Sequence, residues 1–282
     1  MLDCLIDGLL DSLKIIPFLF VTFFILEFLE HKLNKKSEKV LIKYKKFGPI
    51  LGGFLGAVPQ CGFGAMAASL FSNKIITIGT VVAIFLSTSD EMLPIMLGNK
   101  VKIGIVLSII LFKAIIGVLV GLLVDLLFRK KGFVKEHIHI QDMCEDEHCH
   151  CEDEEGFILP SIIHTLKIGL FILIANISIN LVIYFIGEEP LKNILLSNNI
   201  LKYFIASLVG LIPNCASSII ITELYLSNLI TIGTMFAGLL TGSGLGILLL
   251  FKVNKNLKEN ITILSTIYTV GVVIGLLVDL II

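Results

Sequence analysis

The sequence predicts an all-α polytopic membrane protein made of two inverted-topology repeats, and three observations lead there. Of 282 residues, 56% are hydrophobic and only 16% are charged, with a mean hydropathy of +0.96. A soluble domain averages roughly 45–50% apolar and about 25% charged. Long apolar runs recur along the chain, for example 101–128 with Lys113 in its middle, and a bilayer core asks for about 20 such residues per helix. Finally, the chain aligns on itself at a constant offset of 154 residues.

Taken in order, apolar segments fall at about 9–30, 47–72, 75–98, 101–128, 157–187, 200–226, 229–251 and 260–282. The first has few basic residues before it and no small-residue cleavage site after it, so it reads as a retained span and not a signal peptide. Allowing for interrupted segments, about 8–10 membrane segments are expected. The polar stretch between the fourth and fifth segments divides the chain into a first transmembrane repeat (1–128), a linker (129–156) and a second repeat (157–282).

The repeat is legible in polar residues as well as apolar ones. Gly56, Pro59 and Cys61 fall on Gly210, Pro213 and Cys215. The tract "ITIGT" at 76–80 falls on "ITIGT" at 230–234, and "GVLVGLLVDL" at 117–126 on "GVVIGLLVDL" at 271–280. Chance supplies matching Val and Leu in apolar text, but not Pro, Cys, Thr and Asp in one register.

Charge in the loops sets the orientation. Residues 32–46 carry seven lysines, and Arg129, Lys130, Lys131 and Lys135 open the linker. Both loops are therefore expected in the cytoplasm. An even number of crossings has to separate them, yet three apolar segments lie between. One segment is then re-entrant or split, and the natural candidate is the second, broken at Pro59–Cys61. Each half has an odd number of crossings, the second half is inverted, and both termini are external. Inverted repeats with paired broken helices are a transporter pattern.

Proline removes an N–H and glycine permits irregular backbone, so Pro59–Cys61 and Pro213–Cys215 are expected to interrupt helices at membrane depth. Unpaired backbone is tolerated there only inside protein or beside a wet cavity. Gln60, Cys61, Asn214 and Cys215 would add side-chain ligands to the freed carbonyls. "STSDE" at 87–91 contributes Ser89, Asp90 and Glu91, and Glu223 follows the second break. Carboxylates inside a membrane cost roughly 2.5–3.5 kcal/mol on insertion scales and default to functional roles. Asp90 or Glu91 could bind a cation, carry a coupling proton or pair with Lys113. The matching segment of the second repeat, "TGSGLGIL" at 241–248, has glycines and no carboxylate, as a single off-centre site would. Asp125 and Asp279 match across the repeat near helix ends and read as structural.

The linker gathers His137, His139, Cys144, His148, Cys149, His150 and Cys151 among acidic residues. Imidazole and thiolate suit transition metals, and no zinc-finger spacing is present, so a flexible, exchangeable metal binder is expected. No spaced disulfide framework occurs.

The duplicated Gly-x-x-Pro-x-Cys breaks, the "STSDE" segment and the His/acid-rich linker resemble the ten-span heavy-metal exporters, whose members are also labelled arsenic efflux proteins or manganese transporters. The resemblance extends over essentially the whole chain. It implies a non-enzymatic secondary carrier in the cell membrane that exports manganese, another divalent metal or arsenite. Its motif positions would be Pro59, Gln60, Cys61, Asp90, Glu91, Pro213, Asn214 and Cys215. Lipid and the transported ion are the expected partners; no resident cofactor and no nucleic acid are expected. The chain has no G-x-x-x-x-G-K-[ST] phosphate loop, which argues against intrinsic ATP hydrolysis. The main alternative is a thiol–disulfide electron carrier in which Cys61 and Cys215 form and break a disulfide.

Overall fold

The computed structural model describes residues 16–17, 19–21, 24, 47–58, 62–89, 92–130, 158–186 and 200–281. All regular structure among them is helical. The first repeat contributes α1 (Gly48–Gly56), α2 (Gly62–Ser72), α3 (Ile78–Ser87), α4 (Met92–Gly98) and α5 (Ile103–Lys130). After α6 (Ile158–Ile186), the second repeat contributes α7 (Leu201–Gly210), α8 (Cys215–Leu226), α9 (Ile232–Thr241), α10 (Leu245–Val253) and α11 (Leu257–Ile281). Helices α3 and α9 begin and end 154 residues apart, and the other four pairs keep that offset closely.

Four segments among the described residues are long and apolar enough to cross a membrane: Ile78–Gly98, Ile103–Phe128, Ile232–Val253 and Leu257–Ile281. The segments at 47–72 and 200–226 resolve into pairs of short helices, none long enough alone. The protein is a multi-pass membrane protein. On α5 the residues Ile103, Leu107, Leu111, Ile115, Leu119 and Leu123 stand exposed at four-residue steps, a stripe that water would penalise and lipid would not.

The core of each repeat is a helix trio. Helix α3 packs between α1 and α5, and α9 between α7 and α11. Glycine makes the approach possible. A Cβ on Gly79 would lie 2.1 Å from the Gly121 carbonyl oxygen, and one on Gly233 would lie 2.2 Å from that of Gly275. Gly117 and Gly271 similarly meet the carbonyls of Ala83 and Ala237 at 2.7 and 2.8 Å. Gly117-x-x-x-Gly121 and Gly271-x-x-x-Gly275 are small-residue packing faces of the kind that let membrane helices touch.

The start of each inner helix is closed by the same clamp. Thr77 Oγ1 accepts from the Thr80 amide at 3.1 Å and donates to Asp125 Oδ2 at 2.6 Å, while Asp125 Oδ1 accepts from the Gly79 amide at 2.8 Å. In the second repeat Thr231 accepts from the Thr234 amide at 3.3 Å and donates to Asp279, whose Oδ1 takes the Gly233 amide at 2.8 Å. Two otherwise orphaned N–H groups per helix are satisfied, and each carboxylate sits at the positive end of a helix dipole. Lys202 Nζ, 3.4 Å from Asp279, and the Tyr203 hydroxyl, donating to it at 2.7 Å, reinforce the second clamp only. The structural role expected of the two aspartates is the one observed.

The repeats are interlocked. Helix α2 packs on α10, and α8 on α4. Just past α2, Lys74 pairs with Glu259 of α11 at 2.6 Å. Asn254 Nδ2 donates to Glu259 at 3.2 Å and to Asn260 at 2.7 Å, and Ser72 donates to the Val253 carbonyl at 2.7 Å. Lys74 and its repeat mate Asn228 both have φ of 57° and close the same turn, each followed by an amide bonding back to Leu70 or Leu224.

Replacing Gly79 or Gly233 by Ala is expected to cost about 1–3 kcal/mol through overpacking against backbone, read as a lowered melting temperature in detergent. Gly98, with nothing within 4 Å of a built Cβ, supplies the control; a Gly79→Ala protein as stable as Gly98→Ala would refute the close crossing.

Candidate functional site

Among the described residues the apolar segments of the two repeats are interrupted after Gly56, at Thr88 and Ser89, at 211–214 and at 242–244. Helix α1 ends at Gly56 and α2 resumes at Gly62; Pro59, Gln60 and Cys61 between them lie outside the described residues. The second break is described more fully. Helix α7 stops at Gly210, where a Cβ would lie 2.1 Å from the Gly238 carbonyl oxygen. Asn214 then opens α8 as its N-cap, with Oδ1 accepting from the Ala216 amide at 3.0 Å. Ser217 adds a hydroxyl bond to the Asn214 carbonyl at 2.9 Å. Asn214 is buried.

Cys215 is the first residue of α8, where the helix dipole favours negative charge; its side chain lies outside the description. Glu223 is exposed on the same helix, nine residues past Asn214 and thus about 13 Å along the axis at roughly 1.5 Å per residue. It does not share a small ion's shell with the cap. Ser89 is buried and donates to the Ser87 carbonyl at 3.2 Å. Asp90, Glu91 and the whole linker set, His137, His139, Cys144, His148, Cys149, His150 and Cys151, lie outside the described residues. Among the described residues no three His, Cys, Asp or Glu side chains gather closely enough to hold a metal.

Contacts between the repeats bring breaks together. Gly64, two residues into α2, approaches the last break so closely that a Cβ on it would lie 3.4 Å from both Gly246 Cα and the Ser243 carbonyl oxygen. A Cβ on Gly246 would lie 3.0 Å from Gly64 Cα, and one on Gly242 3.1 Å from Ser218 Oγ of α8. Gly244 takes φ 53° and ψ −140°, a conformation that L side chains avoid. The starts of α2 and α8 therefore both reach the Gly242–Gly246 strand of backbone.

Lys113 enters from α5. It is 1% exposed, and its Nζ donates to the carbonyl oxygens of Thr88 and, at 2.8 Å, Leu239. Thr88 closes α3 and Leu239 lies in the last turn of α9, so one ammonium joins the carbonyl ends of split helices from both repeats.

Two contributors were not identified from the sequence. Ser243, the repeat mate of Ser89, has a buried hydroxyl with no hydrogen-bond partner among the described residues; leaving such a group unpaired costs about 1–3 kcal/mol. The signal was its register with "STSDE". The glycine faces at 117–121 and 271–275 were visible as small-x-x-x-small spacing but were read only as repeat text.

A family model described as "Putative, 10TM heavy-metal exporter" matches residues 1–186. That covers the first repeat, the linker and α6, and so includes the Pro59–Cys61 break and "STSDE" but not the second break. No match was found among curated proteins or among solved structures.

Asn214→Ala is expected to lower stability by about 1 kcal/mol through loss of the cap, while Asn214→Ser keeps most of it. Melting curves of the purified variants decide this; equal losses for Ala and Ser would remove the capping role.

Proposed function

The chain belongs to this heavy-metal exporter family, and from that premise we propose that it is a secondary-active carrier that moves manganese, another divalent cation or arsenite out of the cytoplasm by alternating access, coupled to inward proton movement. The observation that supports this most is the convergence of helix breaks from both repeats on the Gly242–Gly246 backbone and on Lys113. Freed carbonyls and half-helix ends at such a meeting point are what transporters use to hold ions.

In this reading Gln60, Cys61, Ser89, Asp90, Glu91, Asn214 and Cys215 supply the transport site, and Glu223 a carboxylate further along the path. The linker collects cytosolic metal through its histidines and cysteines. Thiolates favour arsenite and soft metals, whereas carboxylates and amides favour manganese; the mixed set admits both classes. No covalent chemistry on the substrate is involved.

The inverted arrangement also belongs to this proposal, and contacts support it. The end of α5, through Asp125, lies beside the start of α3, just after Lys74. The start of α11, through Glu259, lies beside Lys74, and its far end, through Asp279, beside the start of α9. A straight α11 of 25 residues spans about 37 Å, which would set the two aspartate clamps at opposite membrane faces. The lysine-rich loops place the face holding Lys74, Asp125 and Lys255 in the cytoplasm by the positive-inside rule. Helices α1 and α2, and likewise α7 and α8, would then be re-entrant hairpins.

The deciding measurement is cellular accumulation of Mn, Fe, Co, Ni, Zn, Cd and arsenite in a sensitised host. Wild type should lower one species, and the Cys61→Ser/Cys215→Ser protein should not. Asp90→Asn with Glu91→Gln should abolish export, whereas linker deletion should weaken it only at low cytosolic metal. If no species moves, the exporter reading fails; a redox-sensitive Cys61–Cys215 disulfide would then favour the electron-carrier alternative.

A further inference from the structure

Lys113 is the one charged side chain among the described residues placed at less than 2% exposure. Two of its acceptors are helix-end carbonyls. Helix α3 ends at Ser87, and Thr88 turns away with φ −55° and ψ 129°, so its carbonyl is released from the helical ladder. Leu239 would accept from the Ser243 amide if α9 continued, but that amide bonds to the Thr241 carbonyl at 2.9 Å instead. Each helix C-terminus carries roughly half a negative charge. Two such ends meeting at one point present about one unit of negative potential to the ammonium.

The second repeat offers no equivalent. The residue in register with Lys113 is Ile267, fully buried and apolar. Thr88 and Leu239 come from non-equivalent places in the two repeats, their mates being Gly242 and Phe85. The seat is thus a single feature that spans both repeats, not half of a symmetric pair.

We propose that the Lys113 ammonium is a cation fixed to the chain, occupying a carbonyl seat between the split helices α3 and α9 that would otherwise take a small monovalent cation. The proposal rests on the carrier reading of the same site, because its consequence is that no dissolved Na⁺ or K⁺ enters that seat during transport. Lys113 is a positioning residue: it holds the broken ends of both repeats at a set distance and leaves the transported ion to other ligands.

The test is made on the purified full chain in detergent and does not depend on export. Lys113→Ala removes a propylammonium-sized group, so propylammonium chloride should raise the variant's melting temperature saturably by roughly 3 °C. It should leave wild type unchanged. Neutral 1-propanol should give no such rise, and Lys113→Met, with the space filled, should not respond to either. Equal responses to propylammonium and propanol, or to neither, would overturn the proposal, as would a saturable Na⁺- or K⁺-dependent rise in wild type. Should Lys113→Ala fail to purify, Lys113→Met and Lys113→Arg decide by melting temperature: a Met protein as stable as wild type overturns the seat, and loss in Met with retention in Arg sustains it. Wild-type export fails or succeeds separately on the metal panel, so the two readings fall independently.

Discussion

A helix that stops inside a bilayer leaves peptide groups that water cannot reach, and each has to find a partner within the protein. The arrangement of this chain follows from that requirement. The outer starts of α3 and α9 are closed by a threonine and an aspartate brought from the end of the neighbouring long helix. At their ends the partner is Lys113, which serves both at once. The glycine crossings matter because they bring α5 and α11 close enough for those side chains to arrive. Packing and polar satisfaction are therefore one problem here: loosening the Gly79–Gly121 approach would also withdraw Asp125 from the amide it holds.

The scaffold repeats, but only part of its charge does. The clamps, the glycine crossings and the turn after α2 and α8 recur at the 154-residue offset. Asp90, Glu91 and Lys113 have Gly244, Leu245 and Ile267 as mates. The repeated frame thus carries these three charges in its first half only, while small residues and bare backbone at Gly242–Gly246 in the second half allow the close approach.

Much of this was legible in the sequence because it left a mark in register. "ITIGT" and the two "LLVDL" tracts announced the duplication, and Gly-x-x-Pro-x-Cys announced where helices stop. That Thr77 and Asp125 belong to one clamp was not legible, since 48 residues separate them and only the packed helices bring them together. Lys113 stands out in the sequence as a charge inside an apolar run, but its bonds to two helix-end carbonyls depend on tertiary placement. Ser243 was hidden by its setting, read as part of a glycine-rich counterpart to a charged segment.

The exchange of partners between halves also bears on synthesis. Helix α2 buries Gly62, Gly64, Ala65, Ala67, Ala68, Ser69 and Phe71, and its main neighbour is α10. Residue 245, where α10 begins, follows residue 72 by 173 positions, so at typical elongation rates α2 waits on the order of ten to thirty seconds for the surface it will cover. A face made mostly of glycine and alanine tolerates that delay, because lipid chains exert little pressure to hide it. The small residues that permit close packing in the finished protein are also the ones least troubled by being left uncovered while the ribosome is still working.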